Sequence, residues 1–336
     1  MTVKARVYRY ELPLLSPLPR HTARFASGFI IEIETDKGKR YGEVADAALC
    51  GAETPVVIEE QLRVAVHNDC QFQVSDCAPV KWAMSSALCD EPFPNLNLPL
   101  NALLDASRTE MVDDGLSRHA EGFRCFKIKI GDAPPHDEIA RIFELSKVLG
   151  RGITFRLDGN RKLTLATAVE YAKALKKINI EYFEEPFADL EDMAAFFELT
   201  GRKIALDETV IEREFERWHK NQAVCAYVLK PSRIGAKSEL DAIVQLAGKN
   251  DRMVVLSSTF ESGIGLIALA KAAACAQNPP FGMGVSQGLA TGSYFAADLV
   301  SPPLRPFRGQ MMVGALQERL HHVDLKESKF CQRILA

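Results

Sequence analysis

Eight cysteines occur among the 336 residues, and no two of them form a CxxC pair. That spacing argues against a zinc site. Several sit in apolar runs, as Cys125 and Cys225 do, which predicts buried, reduced thiols in a cytoplasmic protein rather than disulfides. No uninterrupted apolar run approaches the roughly 20 residues needed to cross a bilayer. The opening stretch Met1 to Val7 has no apolar h-region, so no signal peptide is expected. Long basic runs are missing too. With 41 Lys and Arg against 44 Asp and Glu, the formal net charge of −3 gives no electrostatic reason to expect nucleic acid or an anionic membrane as partner. There is no P-loop, no HExxH and no convincing GxGxxG. Nothing in the sequence sets an oligomeric state.

What remains is an ordinary globular composition, 47% hydrophobic and 25% charged, with one unusual pattern. Five short apolar runs each end in charge: Cys125 to Ile130 carries Lys127 and Lys129, Ile153 to Asp158 ends in a carboxylate, and Ile180 to Pro186 contains Glu184 and Glu185. Ile204 to Glu208 contains Asp207, and Ala226 to Pro231 contains Lys230. The charges recur every 23 to 29 residues, long enough for one strand, one helix and two loops. They therefore mark the C-terminal ends of strands in a repeated β-α unit.

Strands are predicted near 98–104, 124–130, 153–158, 180–184, 203–207, 225–230, 253–257 and 281–285, with helical patterns such as Leu165 to Lys177, Leu190 to Thr200 and Ser238 to Lys249 between them. Eight such strands predict a (β/α)₈ barrel over residues 98–299. A doubly wound sheet is the alternative, but it does not normally place charges at five consecutive strand ends. Residues 1–97 break the rhythm. Extended runs at Val3 to Leu12, Gly28 to Glu34 and Arg40 to Val44 read as an antiparallel meander, with a hairpin turn at Asp36 to Lys39. Helices are expected at Thr54 to His67 and Val80 to Leu88. This α+β segment is predicted to cap the barrel. The tail, residues 300–336, is expected to return to it, with short extended pieces at Met311 to Val313 and Val323 to Leu325.

The charges suggest a chemistry. Asp158, Glu184 and Asp207 end successive strands about 4.8 Å apart, so their tips can converge on one ion. All-oxygen ligation without nearby Cys or His suits a hard cation, Mg²⁺. Taken singly, each carboxylate is more readily a turn or capping residue than a ligand. Pleat alternation lets only one of Glu184 and Glu185 face the barrel mouth. Lys127 and Lys129 share one strand face; a lysine among apolar groups and beside another lysine loses its proton more easily and can act as a base. Lys230, on the sixth strand, lies across the barrel. Arg156 shares the face of Asp158 one layer deeper, as a structural ion pair or a substrate contact. Ser257 to Gly265 opens an apolar helix, and amides near Ser262 and Gly263 can hold an anion or simply cap that helix. The parts together suit proton abstraction α to a metal-held carboxylate, with an enediolate intermediate. The expected partner is a small-molecule carboxylate substrate.

These residues resemble the enolase superfamily. Lys127-Ile128-Lys129, Leu157 to Arg161, Phe183 to Pro186, Leu206-Asp207-Glu208 and Leu229-Lys230-Pro231 look like its muconate-lactonizing subgroup, and Tyr41-Gly42-Glu43 extends the likeness into the cap. Within that subgroup Arg156-Leu157-Asp158, Val228 to Pro231 and Ser257 to Ser262 are most similar to the o-succinylbenzoate synthases of menaquinone biosynthesis. The resemblance implies Mg²⁺ on Asp158, Glu184 and Asp207, and dehydration of a 2-succinyl-6-hydroxy-cyclohexadiene carboxylate. It implies Lys129 as the base and Lys230 as the stabilising cation on the other face. It also implies a succinyl carboxylate at the Ser262 and Gly263 amides, and a loop from His21 to Arg24 closing over the site. Two residues depart from the pattern: Gly159 where Ala is common, and Leu163 where Trp is common. An N-succinylamino acid racemase or a related epimerase would use the same lysine pair. The eighth-strand segment Gly282 to Ser286 lacks the Asp-x-Asp usual in dipeptide epimerases. A non-catalytic metal-carboxylate binding barrel would not need lysines on both faces.

Overall fold

The structure is a computed structural model and describes residues 4–15, 23–45, 53–68, 75–276 and 284–335. Its N-terminal part is a sheet of β1 (Lys4–Pro13), β2 (Phe25–Thr35) and β3 (Gly38–Val44), joined at the edge by β13 (Cys331–Leu335) in the order β13-β1-β2-β3. The Thr35–Gly38 turn makes β2 and β3 a hairpin. Two helices cover one face, α1 (Pro55–His67) and α2 (Ala78–Ala87). Thr54 caps α1, its hydroxyl accepting from the Val57 amide, with Pro55 in the first turn where a missing N–H costs nothing. Val7, Ile31 and Ile33 of the sheet and Ile58, Leu62, Val80 and Met84 of the helices form a buried cluster of their own.

Seven parallel strands follow: β5 (Asn101–Asp105), β6 (Cys125–Lys129), β7 (Thr154–Asp158), β8 (Ile180–Glu184), β9 (Ile204–Leu206), β10 (Val224–Leu229) and β11 (Met253–Leu256), hydrogen-bonded in that order. Crossover helices lie between them: α3 (Met111–Ala120), α4 (Pro135–Leu149), α5 (Leu165–Ala174), α6 (Asp192–Thr200) and α7 (Lys237–Lys249), with α8 (Gly263–Ala276) after β11. Two residues close the ring. Gln287 bridges in parallel to Leu100 and Gly288 to Ser257, so one short segment bonds both edges of the sheet. Of the expected strand 281–285, residues 281–283 lie outside the described residues. The fold is thus the barrel that the charge spacing predicts, with the expected α+β cap.

The expected first strand, 98–104, divides in two. β4 (Asn97–Pro99) pairs antiparallel with β12 (Gln310–Met312), and only β5 enters the barrel. The backbone of Leu100, between them, bonds to Gly309. The expected extended piece at 323–325 is a loop, and β13 pairs with β1 in its place. The six described cysteines, Cys77, Cys89, Cys125, Cys225, Cys275 and Cys331, are free thiols. No helix among the described residues is long and apolar enough to cross a membrane.

Candidate active site

Strand register builds the site. Lys129 of β6 stands beside Asp158 of β7, and Asp158 beside Glu184 of β8. Leu206 of β9 pairs with Tyr227 of β10, which places Asp207 and Lys230 just beyond those strand ends. All three carboxylates are buried. Lys127 Nζ lies 2.8 Å from Asp158 Oδ2 and 2.6 Å from Glu184 Oε1. Lys129 Nζ lies 2.6 Å from the same Asp158 oxygen and 2.7 Å from Asn160 Oδ1. Lys230 Nζ is 2.5 Å from Asp207 Oδ2.

The two lysines of β6 do not share one fate. Burial pulls the Lys129 ammonium down, Lys127 adds to that, and Asp158 only partly restores it, so its pKa falls below the ordinary value. Burial acts on Lys127 as well, but the charges of Asp158, Glu184 and Asp207 outweigh it, and its pKa rises well above the ordinary lysine range. Lys230 also rises, because Asp207 and Glu208 overcome the cost of burial. Burial and the nearby Asp158 and Asp207 push the Glu184 carboxyl up to about 8, whereas the ammonium groups of Lys127 and Lys129 overcome burial at Asp158 and hold it low. The expectation that both β6 lysines lose their protons easily therefore holds for Lys129 alone.

Glu184 and Glu185 separate cleanly. Glu184 turns to Lys127 at the barrel mouth. Glu185 is held by Arg161 Nε at 2.9 Å, by the Thr209 hydroxyl and by the Asp207 amide at 2.8 Å. It braces the loops behind the site. Sequence reasoning assigned no role to Asn160 or Glu208, although both flank residues it singled out. Asn160 accepts from Lys129 and donates to Glu208 Oε1 at 3.3 Å.

Two candidate substrate contacts need correction, and for Arg156 the structure takes the ion-pair alternative. Arg156 is fully buried beneath the site, with Nε 2.6 Å from Glu181 Oε2 and Nη1 donating to Asn101 and to the Ser286 carbonyl. It ties β7 to β5 and to the closing segment, so it is structural and not a substrate contact. The amides of Ser262 and Gly263 are also engaged. Ser262 donates to Glu43 Oε1 at 2.8 Å and Gly263 to Asp298 Oδ1 at 2.7 Å. Carboxylates of the chain itself hold the donors expected to take a substrate anion. Of the loop from His21 to Arg24, residues 21 and 22 lie outside the described residues. The departure at Gly159 has a steric reason: a Cβ there would come within 2.9 Å of Pro186 Cα.

A cavity of about 270 Å³ opens over these groups. Lys127, Lys129, Lys230, Arg118 and Arg233 give its lining positive charge, Glu208 is the acidic member, and Phe123, Phe260, Tyr294 and Leu103 supply apolar surface. Such a lining suits an anionic ligand with an apolar body.

The donor set fits a hard divalent cation. Glu184 Oε2, Asp207 Oδ1 and Glu208 Oε2 are buried oxygens without a hydrogen-bond partner, and buried polar atoms seldom stay unpaired. Among the described residues no three acidic, imidazole or thiol groups already converge as a coordination shell. Three ammonium groups occupy the carboxylates instead, and an ion would replace some of those contacts.

Residues 110–316 match the family model described as enolase C-terminal domain-like. The o-succinylbenzoate synthase of Aliivibrio fischeri is 27% identical over 282 residues, 80% of this chain and 86% of that protein. Protein PHYLLO, chloroplastic, of Arabidopsis thaliana is 32% identical over 177 residues, which is 50% of this chain but only 10% of that much longer protein. Among solved structures, muconate lactonizing enzyme from Pseudomonas fluorescens, complexed with muconolactone, superposes with a TM-score of 0.75 at 18% identity and covers 98% of both chains. A dipeptide epimerase from Enterococcus faecalis, complexed with Mg and L-Leu-L-Tyr, gives 0.76 at 22% identity over 90% of this chain and 94% of that one. Register, fold and family match agree: the chain belongs to the enolase superfamily, and among its relatives it resembles the o-succinylbenzoate synthases.

Proposed function

We propose that this protein is an o-succinylbenzoate synthase, dehydrating 2-succinyl-6-hydroxy-2,4-cyclohexadiene-1-carboxylate in the menaquinone pathway in the cytoplasm. The observation that carries the reading is the placement of Lys129 and Lys230 on one cavity, beside three strand-end carboxylates. Asp158, Glu184 and Asp207 would hold Mg²⁺, which when bound supplies positive charge beside the substrate's ring carboxylate and makes its α-hydrogen acidic. Lys129 Nζ, as the free amine, takes that hydrogen as a proton. The electron pair left on the ring expels the hydroxyl at the neighbouring carbon, and the proton on Lys129 passes to the departing oxygen. Water leaves and the ring becomes aromatic. Lys230, kept cationic by Asp207 and Glu208, offsets the negative charge from the other side. The barrel of residues 98–299 is the catalytic unit, and residues 1–97 with 300–336 form its cap.

A racemase of N-succinylamino acids needs the same two lysines, and the epimerase likeness keeps that reading in view. The long match to an o-succinylbenzoate synthase favours dehydration. The test is conversion of the cyclohexadiene substrate by the purified protein with Mg²⁺. Turnover is expected in the wild type and absent in Lys129→Ala, with the fold retained by circular dichroism. Full activity in that variant removes Lys129 as the base. Rapid α-hydrogen exchange of N-succinylamino acids in D₂O, without dehydration, selects the racemase.

A further inference from the structure

Phe260 has φ of 64°. Bulky side chains rarely enter this left-handed region, where glycine is at ease. The backbone is held there from both sides. The Phe260 amide donates to Ser258 Oγ at 3.1 Å, and Ser258 Oγ also bonds to the Thr291 hydroxyl. On the other side the Thr259 amide donates to Glu261 Oε2 at 2.7 Å, and Ser262 is fixed by Glu43 of the cap. Phe260 lines the cavity that also holds Lys129 and Lys230. It meets Tyr294, a second cavity residue, edge to face, with centroids 5.5 Å apart and planes at 89°.

A glycine would satisfy this backbone without strain. The chain instead carries a large ring at the position, in a loop tied to Thr291 and to Glu43 of the cap. Strain kept at a ligand cavity is a mark of function rather than of stability. We propose that Phe260, backed by Tyr294, forms the recognition wall for the six-membered ring that dehydration flattens, so that the site selects ring-bearing carboxylates over open-chain ones. This rests on the dehydration reading above and adds to it the residue that reads the ring. The cations of the cavity take the anionic end, and the aromatic pair takes the body between them.

The experiment measures calorimetric affinity in the presence of Mg²⁺, and thermal melting, for wild type, Phe260→Gly and Phe260→Leu. The ligands are o-succinylbenzoate and N-succinylvaline, which has two carboxylates but no ring. The expected result is about tenfold weaker o-succinylbenzoate binding in Phe260→Gly. N-succinylvaline binding, weak or absent in every form, should be unchanged. The melting temperature of Phe260→Gly should equal or exceed that of wild type, because the strain is released. Phe260→Leu should lose the ring preference without gaining stability. Equal weakening of both ligands, unchanged o-succinylbenzoate affinity, or a fall of several degrees in Phe260→Gly overturns the inference alone. Failure of o-succinylbenzoate to bind the wild type overturns the proposed function as well.

Discussion

Glu184 and Glu185 are adjacent in the chain and do different work. Pleat alternation shows that only one can face the barrel mouth, but not which one. The decision comes from Arg161 and Thr209, which hold Glu185 behind the strand ends at a φ of 34°. The Glu184→Gln substitution is expected to weaken Mg²⁺ binding by on the order of 100-fold, since even groups behind a ligand contribute about 10–100-fold. Glu185→Gln should lower the melting temperature through its lost ion pair and change the calorimetric Mg²⁺ affinity much less. Reversed results would exchange the roles of the two residues. Lys127 and Lys129 were legible as neighbours because both lie on one strand. The engagement of the Ser262 amide was not, since its acceptor, Glu43, is 219 residues away.

At the scale of elements, five strand ends could be placed from charge spacing because parallel strands put equivalent positions at one mouth. The split of the first strand into β4 and β5 had no local signal; it follows from pairing with β12, over two hundred residues later. The contact between β3 and α8 is of the same long-range kind. Glu43 Oε1 accepts from the Tyr10 hydroxyl at 2.7 Å and from Ser262, and its Oε2 accepts from the Ser262 hydroxyl and, at 2.8 Å, from the Gly265 amide. Burial nonetheless pushes the Glu43 carboxyl up to about 7. Folded Glu43 therefore keeps its proton at pH values where an unfolded glutamate has lost it. The native state binds more protons in that window, so Glu43's contribution to stability is greatest in mild acid and is lost as pH rises to about 7. Melting curves from pH 5 to pH 8 should show that slope, and Glu43→Ala should flatten it. The same variant should cost about 1–3 kcal/mol for each donor left unpaired in the interior. Gly42, next in the strand, has no room for a side chain: a Cβ there would sit 1.9 Å from the Ala83 carbonyl oxygen of α2. Gly42→Ala is expected to destabilise by about 1–3 kcal/mol in denaturant titrations, the usual cost of overpacking.

For the whole molecule, one apolar cluster runs from Tyr8, Tyr10 and Trp82 of the cap through Phe126, Phe155 and Leu206 of the barrel. Cap and barrel should therefore melt together. A cation that binds only the folded state adds stability by mass action, roughly 2.7 kcal/mol at a hundredfold excess over its Kd. Added Mg²⁺ is expected to raise the melting temperature of the wild type in one transition, and a chelator should reverse it. Glu184→Gln should show little of either effect. A Mg²⁺-independent melting curve would count against the carboxylate cluster as a cation site.

The Glu43 junction also bears on how such a protein can be recombined. Its acceptor belongs to the cap, its donors begin a barrel helix, and the strained loop that presents Phe260 ends at those donors. A chimera that grafts a relative's cap onto this barrel inherits the shape of the cavity wall only if residue 43 and residues 257–265 travel as one module. Exchange of the cap alone should give a protein that folds around an altered cavity, with its substrate preference shifted even though Lys129, Lys230 and the strand-end carboxylates are in place.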